Sequence, residues 1–313
     1  MNRSMTPVRS LLDEASARLA EAGVDASRAN AEQLLAHSLG VSRSALLLLD
    51  EVPDAARQAF GELVARRATR EPLQYLLGSA AFRHLSLAVG PGVFIPRPET
   101  ELLVDAVLPG LRGLAGPVVV DLGAGSGALG LAIAQEVPGT RVIAVERSPA
   151  ALAWLRRNCA ASTVEVVAAD LTDPRLLCEL DAGVDAVVSN PPYVPSAAPV
   201  GPEVRHDPAE AVFAGPDGLA LMPGLIRTAA RLLRPGGVLA LEHDDSQGRS
   251  LPGLIDADGR WAGIVDRVDL SGRPRFATAR RSGRMGPVSE RASEPRGTVA
   301  PLAGSASASE EIT

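Results

Sequence analysis

Val118-Val119-Val120-Asp121-Leu122-Gly123-Ala124-Gly125-Ser126-Gly127-Ala128-Leu129-Gly130, followed by a helical run from Leu131 to Glu136, is the stretch on which the fold turns. An apolar run, a glycine turn and a helix in direct succession open a nucleotide-binding βαβ unit. Gly123, Gly125 and Gly127 permit positive φ and let backbone N–H groups approach a ligand closely. A glycine loop does not by itself choose the ligand. The strands that follow carry that information.

Arg141 to Val145 reads as a second strand and ends at Glu146, an acid placed to accept hydrogen bonds from both hydroxyls of a ribose. Ser148 and Pro149 have the character of a cap and first residue for the next helix. A third strand, Val164 to Ala168, ends at Asp170-Leu171, where the acid can accept from an adenine amine and the leucine can pack on the ring. A fourth apolar run, Val184 to Val188, delivers Asn190-Pro191-Pro192-Tyr193 to the same edge, where open α/β sheets bind ligands. Two consecutive prolines fix φ and remove two backbone donors. What remains is mainly acceptors: the Asn190 side-chain oxygen and the carbonyls of Asn190 and Pro191, with the flat face of Tyr193 beside them. Such a loop suits a planar –NH₂ group with two hydrogens to place. The plainer reading is a turn, in which Asn is favoured for backbone reasons. Asp121, Glu146 and Asp170 at successive strand ends, followed by this tetrapeptide, favour a site.

Upstream, residues 1–70 read as a small helical bundle. Val8, Leu11, Leu12, Ala15 and Leu19 recur at helical spacing up to Gly23, and a second helix covers Ser27 to Leu39 before Gly40. Ser42 is a cap candidate for a third around Leu46, and Asp54 for a fourth reaching Arg67. Partner docking or plain structural extension fits this bundle equally. Residues 71–96 read as a hairpin linker: Leu85, Leu87 and Val89 alternate, then Gly90-Pro91-Gly92 turns the chain into Val93-Phe94-Ile95. Residues 97–280 hold the α/β domain. In it Pro98-Glu99-Thr100 leads into a helix, Gly218 to Leu233 is helical, Pro235-Gly236-Gly237 is a tight turn, and Val238 to Glu242 is a fifth strand. Ile264 to Leu270 and Phe276 to Arg280 close the sheet around Ser271-Gly272-Arg273-Pro274. From Arg281 to Thr313 large apolar residues nearly vanish, so a disordered tail is expected.

Composition narrows the classes. All 31 basic residues are Arg and the formal net charge is -6, which argues against non-specific binding to nucleic acid. Cys159 and Cys178 form no CxxC pair and read as buried free thiols of a reducing cytoplasm. His37, His84, His206 and His243 have no metal-ligand spacing, so no metal site is expected. No apolar run approaches the length of a membrane span. A cytoplasmic monomer with no membrane association is the expectation.

The glycine loop, Glu146, Asp170 and Asn190-Pro191-Pro192-Tyr193, in this order, resemble class I S-adenosylmethionine-dependent methyltransferases acting on amino or amide nitrogen. Gln74-Tyr75-Leu76-Leu77-Gly78, Phe82 and Phe94-Ile95-Pro96-Arg97-Pro98-Glu99-Thr100-Glu101 are similar to the PrmC/HemK family, which methylates the Gln of the Gly-Gly-Gln motif in class I peptide chain release factors. The likeness runs from the N-terminal helices to about Arg280. It includes Gly215-Pro216-Asp217-Gly218-Leu219 and Gln247-Gly248. The resemblance implies a Rossmann-like, mostly parallel sheet with closing antiparallel strands. It implies S-adenosylmethionine held by Asp121, Gly123, Ala124, Gly125, Ser126, Gly127, Glu146, Asp170, Leu171 and Asn190. It also implies a glutamine amide held by Asn190, Pro191, Pro192, Tyr193, Phe94 and Arg97, with Asn190, Pro191 and Tyr193 carrying the catalysis. Two departures touch the substrate groove: Asp207-Pro208 replaces Glu-Pro, and His243-Asp244-Asp245-Ser246 replaces a more apolar stretch. Asn-Pro-Pro-Tyr is shared with adenine-N6 methyltransferases of DNA or RNA, and a sibling family modifies a glutamine of a ribosomal protein. An NAD-linked dehydrogenase or a non-catalytic nucleotide-binding protein would leave the tetrapeptide unexplained.

Overall fold

Four helices near the N-terminus bury one another before the sheet begins. The computed structural model describes residues 6–283; the tail expected from Arg281 lies, beyond residue 283, outside the described residues. β1 (Thr6–Pro7) leads into α1 (Val8–Glu21), whose Val8, Leu12, Ala15 and Leu19 form one buried face. α2 spans Ser27–Leu39 and stops at Gly40, which takes a left-handed conformation. A 3₁₀ turn, Arg43–Leu48, is capped by the Ser42 hydroxyl. β2 (Glu51–Val52) pairs with β1, and α3 runs Asp54–Ala68. Asp54 is the first helical residue and not its cap; Pro53 holds that position without a side-chain bond. The Asp54 carboxylate still sits at the positive end of the helix dipole. α4 (Leu73–Leu77) adds Leu76 to a core centred on Leu19, Leu34, Leu35 and Phe60.

The hairpin is real, but its turn is not at Gly90-Pro91-Gly92. β3 (Ser79–Phe82) and β4 (Leu85–Ala88) pair with Phe82 opposite Leu85, so the chain reverses at Arg83-His84, with Arg83 at φ 49°. Val93 to Ile95 form no strand. Glycine at 90 serves close approach: a Cβ there would lie 2.6 Å from the Trp154 ring. Gly90-Pro91-Gly92 does turn the chain, with Val93 N–H donating to the Gly90 carbonyl at 3.3 Å, but it is not the hairpin's reversal.

α5 (Glu101–Leu111) precedes a seven-stranded sheet. Its members are β5 (Val118–Leu122), β6 (Arg141–Glu146), β7 (Glu165–Ala168), β8 (Val184–Ser189), β9 (Leu233–Glu242), β10 (Trp261–Val268) and β11 (Pro274–Arg281), in the spatial order β10-β11-β9-β8-β5-β6-β7. β9, β8, β5, β6 and β7 are parallel, and β11 runs antiparallel between β9 and β10. α6 (Ala128–Glu136), α7 (Pro149–Cys159), α8 (Ala209–Val212), α9 (Met222–Leu232) and α10 (Ser250–Ala257) complete the chain. The central strands are buried on both faces, which is why β5 and β8 read as nearly unbroken apolar runs. α5, α6 and α7 cover one face; α9 and α10 cover the other.

Several boundaries differ from the sequence reading. α9 begins at Met222 and not Gly218, because Gly218 has φ 74° and belongs to the preceding turn. Pro235-Gly236-Gly237 is not outside β9 but a bulge within it: Leu233 pairs with Val184, and Val238 next pairs with Ala186. β10 begins three residues earlier than expected, and α10 carries no strong sequence signal of its own. Cys159 is buried as expected, whereas Cys178 is exposed on a 3₁₀ turn.

Strand order reverses between β5 and β8, since β6 and β7 extend to one side and β8 and β9 to the other. The crevice at the carboxyl ends of those two strands is the switch point at which such sheets bind ligands.

Candidate active site

A cleft open to solvent occupies that switch point. One wall is the glycine loop after β5. Gly123 and Ala124 both donate to the Val145 carbonyl at 2.9 Å, which ties the loop to β6. Asp121, Gly123, Ala124, Gly125 and Ser126 line the cleft; Gly127 does not. Gly127 lies behind the wall, where a Cβ would meet the Leu155 side chain of α7 at 2.8 Å. That glycine is needed for helix packing.

Asp121 is the group in this wall with an unmet demand. Its Oδ2 accepts from Gly130 N–H at 2.9 Å, while Oδ1 is buried with no partner. Burial pushes the carboxyl up to about 7 against the pull of the Gly130 N–H, and Glu146 pushes the same way. A buried acceptor left unpaired costs about 1–3 kcal/mol, more if charged. A cationic ligand group in the cleft would remove that cost. Glu146 is held differently. Its Oε1 accepts from the N–H groups of Arg147 and Ser148 at 2.8 Å, and Oε2 from Gly125 N–H at 2.9 Å. Each carboxylate oxygen has two lone pairs, so Oε2 retains one for a ligand hydroxyl.

Asp170 does not reach the cleft wall, contrary to its expected place beside an adenine amine. Thr172 N–H and hydroxyl take its Oδ1 at 2.8 and 2.6 Å, and Arg147 takes Oδ2 at 3.2 Å. These bonds, the Thr172 hydroxyl foremost, hold its pKa below the usual carboxylate value. Ala169 and Leu171 line the cleft on either side of it.

The opposite wall comes from β8 and the segment before α5. Asn190 lines the cleft and donates through Nδ2 to Thr100 Oγ1 at 3.0 Å, which turns its Oδ1 away from Thr100. Pro192 lines the cleft too; the Pro191 side chain does not. Tyr193 departs from expectation. Its hydroxyl donates to Glu242 Oε1 at 2.9 Å, its carbonyl accepts from Gln247 Nε2 at 2.9 Å, and its ring packs on the cluster beneath α9. It supports the loop from behind and is not among the residues that line the cleft. Burial, then Glu242, drives its pKa well above the ordinary phenol value.

Phe94 lines the cleft, and Arg97 stands behind it with its guanidinium 5.0 Å from the ring centroid. Arg97 also pairs with Asp207 Oδ2 at 2.6 Å. Asp207 additionally accepts from the Tyr75 hydroxyl at 3.0 Å and Ile95 N–H at 3.4 Å. The Asp207-Pro208 departure is therefore a junction of three segments, and Pro208, Glu210 and Ala211 follow it along the cleft. Glu203 anchors the same segment to the N-terminal helices through Arg67 at 3.0 Å and Arg70 at 2.7 and 2.8 Å. Burial alone would raise the Glu203 pKa, but the two arginines bring it down to about 2. Sequence reasoning missed Thr100 as a site residue, though it stands in the Pro-Arg-Pro-Glu-Thr segment already singled out.

The geometry has close parallels. A family model described as the PrmC N-terminal domain matches residues 10–78, and one described as the methyltransferase small domain matches 90–204. A release factor glutamine methyltransferase of Mycolicibacterium smegmatis is 54% identical over 90% of this chain and 100% of its own length. One from Deinococcus radiodurans is 42% identical over 88% of this chain and 99% of its own. Among solved structures, the catalytic domain of hMettl16 in complex with an RNA hairpin overlays with a TM-score of 0.51 at 18% identity, covering 71% of this chain and 82% of that one, a likeness of fold alone. A cleft between a glycine loop and an Asn-Pro-Pro-Tyr loop, joined to near-full-length identity of this order, decides the matter: the chain belongs to the release factor glutamine methyltransferase family.

Proposed function

We propose that this chain transfers a methyl group from S-adenosylmethionine to the side-chain amide nitrogen of the glutamine in the Gly-Gly-Gln motif of class I release factors, acting in the cytoplasm. The observation that carries this reading is Asn190: its Nδ2 is committed to Thr100, which leaves Oδ1 as an acceptor on the cleft. The cofactor half fits its ligand. The orphan Asp121 Oδ1 suits the ligand's cationic end, Glu146 suits its ribose, and Leu171 its ring. Bound there, the cofactor supplies an electrophilic methyl group on a sulfonium sulfur.

An amide nitrogen is a poor nucleophile because its lone pair is shared with the carbonyl, the resonance that gives a peptide bond its barrier of roughly 18–20 kcal/mol. Asn190 Oδ1 and the Pro191 carbonyl, on a loop stiffened by two prolines, accept the two amide hydrogens and hold the nitrogen for in-line attack. With the cofactor bound, the N–C bond would form as the S–C bond breaks, leaving a neutral thioether, and the proton lost from the nitrogen would pass to water. Holding two reactants in such a geometry can contribute about 7–11 kcal/mol. Phe94, braced by Arg97, walls the amide site, and the helices anchored through Glu203 serve to dock the protein substrate. The net charge of -6 supports a protein substrate over a nucleic acid.

The test is methyl transfer from labelled S-adenosylmethionine with release factor, ribosomal proteins, RNA and DNA offered side by side. Label on the release factor is expected. Label confined to a nucleic acid or a ribosomal protein would overturn the substrate while leaving the cofactor site standing.

A further inference from the structure

Phe94 lines the cleft between two buried neighbours, Val93 and Ile95, and each neighbour is pinned from outside the segment. The Val93 carbonyl accepts from the Tyr75 hydroxyl at 2.7 Å. The Ile95 N–H donates to Asp207 Oδ1 in a long bond of 3.4 Å. Asp207 Oδ1 also lies 3.0 Å from the Tyr75 hydroxyl, whose single hydrogen is shared between the two acceptors. Asp207 Oδ2 takes Arg97 at 2.6 Å, and that guanidinium stands 5.0 Å from the Phe94 ring centroid, within cation–π range. One carboxylate therefore meets the residue after Phe94, the hydroxyl that holds the residue before it, and the cation over its ring.

Asp207 also opens a second stretch of the cleft wall, because Pro208, Glu210 and Ala211 line the cleft directly after it. Upstream, Glu203 ties the segment to the helical bundle through Arg67 and Arg70. Downstream, Val194 N–H donates to the Val212 carbonyl at 2.9 Å, and Ala214 N–H to the Val194 carbonyl at 3.0 Å. Val194 is the residue after Asn190-Pro191-Pro192-Tyr193. Residues 203–214 thus run from the bundle to the Asn-Pro-Pro-Tyr loop, and Asp207 is the point at which they grip the Phe94 segment.

A buried ion pair is weak evidence for stability, since apolar packing of similar volume often does as well. The Asp207 side chain is nevertheless fully buried, and each of its contacts bears on Phe94. We infer that Asp207 is a positioning residue that sets the substrate end of the cleft, fixing the Phe94 wall relative to Pro208–Ala211 and to the Asn190 loop. The inference rests on the proposed amide site at Asn190 and Phe94 and names what holds its walls together.

The test compares Asp207→Asn and Tyr75→Phe with wild type. The asparagine keeps the shape and an acceptor for Ile95 and Tyr75, but it removes the charge that holds Arg97. The Arg97 side chain is 30% exposed, so water can take its freed hydrogens and the fold should survive. Misplacement by about 1 Å can cost about 10²-fold in rate, so kcat on release factor should fall about 10–100-fold in Asp207→Asn and less in Tyr75→Phe. KM for release factor and the dissociation constant for S-adenosylmethionine should stay within about threefold, with thermal unfolding still cooperative. Arg97→Met should reproduce much of the loss, and Arg97→Met with Asp207→Asn should lose little more than either alone, as for two residues acting through one contact. A second arm needs no substrate. The chain has five phenylalanines, so fluorophenylalanine labelling gives few resonances, and that of Phe94 is assigned by its loss in Phe94→Leu. It should shift in Asp207→Asn and in Tyr75→Phe, while those of Phe60 and Phe276, which lie in other clusters, should not. An unmoved Phe94 resonance in Asp207→Asn, a kcat within threefold of wild type, or equal losses of kcat and cofactor affinity would overturn the inference. Absence of transfer to release factor by wild type would count against the proposed function alone, since the fluorine arm still decides whether Asp207 holds Phe94.

Discussion

The two halves of the cleft are built by different means. On the glycine-loop side the wall is mostly backbone, and its one unusual side chain, Asp121, lines the cleft with a buried, unpaired oxygen. On the Asn-Pro-Pro-Tyr side Asn190 is tied to Thr100, and the buried acid, Glu242, takes the Tyr193 hydroxyl behind the loop. Burial pushes both acids up to about 7. One acid lines the cleft; the other sits behind it against the Tyr193 hydroxyl. The difference teaches that a buried carboxylate near a site is not by itself a ligand contact. The two halves should also fail separately, one in cofactor affinity and the other in turnover.

The largest separation is expected from Asn190→Ala. Losing a preorganised group aimed at the reacting centre commonly costs about 10²–10³ in rate, so kcat should fall at least that far while calorimetry finds cofactor affinity within about threefold. Activity within tenfold of wild type would break the assignment. Asp121→Asn should show the mirror image. A hydrogen bond to a charged group contributes roughly 1.5–3 kcal/mol, so cofactor affinity should drop about 10–100-fold with kcat at saturation changed far less. Glu146→Ala removes a ligand acceptor and the brace on Gly125, and about a tenfold loss of cofactor affinity is expected by calorimetry. Unchanged affinity would remove Glu146 from the ribose site. The smallest effect belongs to Asp170→Ala, because that carboxylate is consumed by Thr172 and Arg147 away from the wall. Cofactor affinity within about threefold is expected; a larger loss would put Asp170 back beside the adenine.

The pH dependence sharpens the same contrast. Between the ordinary carboxyl value and about 7, folded Asp121 holds a proton that the unfolded chain has released. The contribution of such a raised acid to stability therefore falls as pH rises through that window. Cofactor affinity should move the opposite way, since a cationic ligand group favours the ionised acid. Titrating binding from pH 5 to about 8 should show affinity rising in wild type and nearly flat in Asp121→Asn.

Much of this was legible in the chain. β5, β6 and β8 are parallel strands buried on both faces, so they read as apolar runs, and the polar residue at each carboxyl end stood out against them. Gly123 was legible because its φ of 76° suits glycine, and Asn190 because it follows the apolar run of β8 directly. Other features were hidden because one residue type answers several demands. Gly90 suits a turn and a tryptophan's approach equally well. Asp170 and Glu146 look alike at strand ends, and only their hydrogen-bond partners separate them. Tyr193 was legible as an aromatic beside the site. That it points inward to Glu242, 49 residues away in sequence, depends on β9 lying next to β8. α10 and the true start of β10 carry weak local patterns, and packing against β11 decides them.

The most direct measurement is transfer of labelled methyl from S-adenosylmethionine to a purified class I release factor, beside the same factor with Gln→Ala in its Gly-Gly-Gln motif. The account predicts label on the first and none on the second, with the methyl on the glutamine side-chain nitrogen. Equal labelling of both would contradict it.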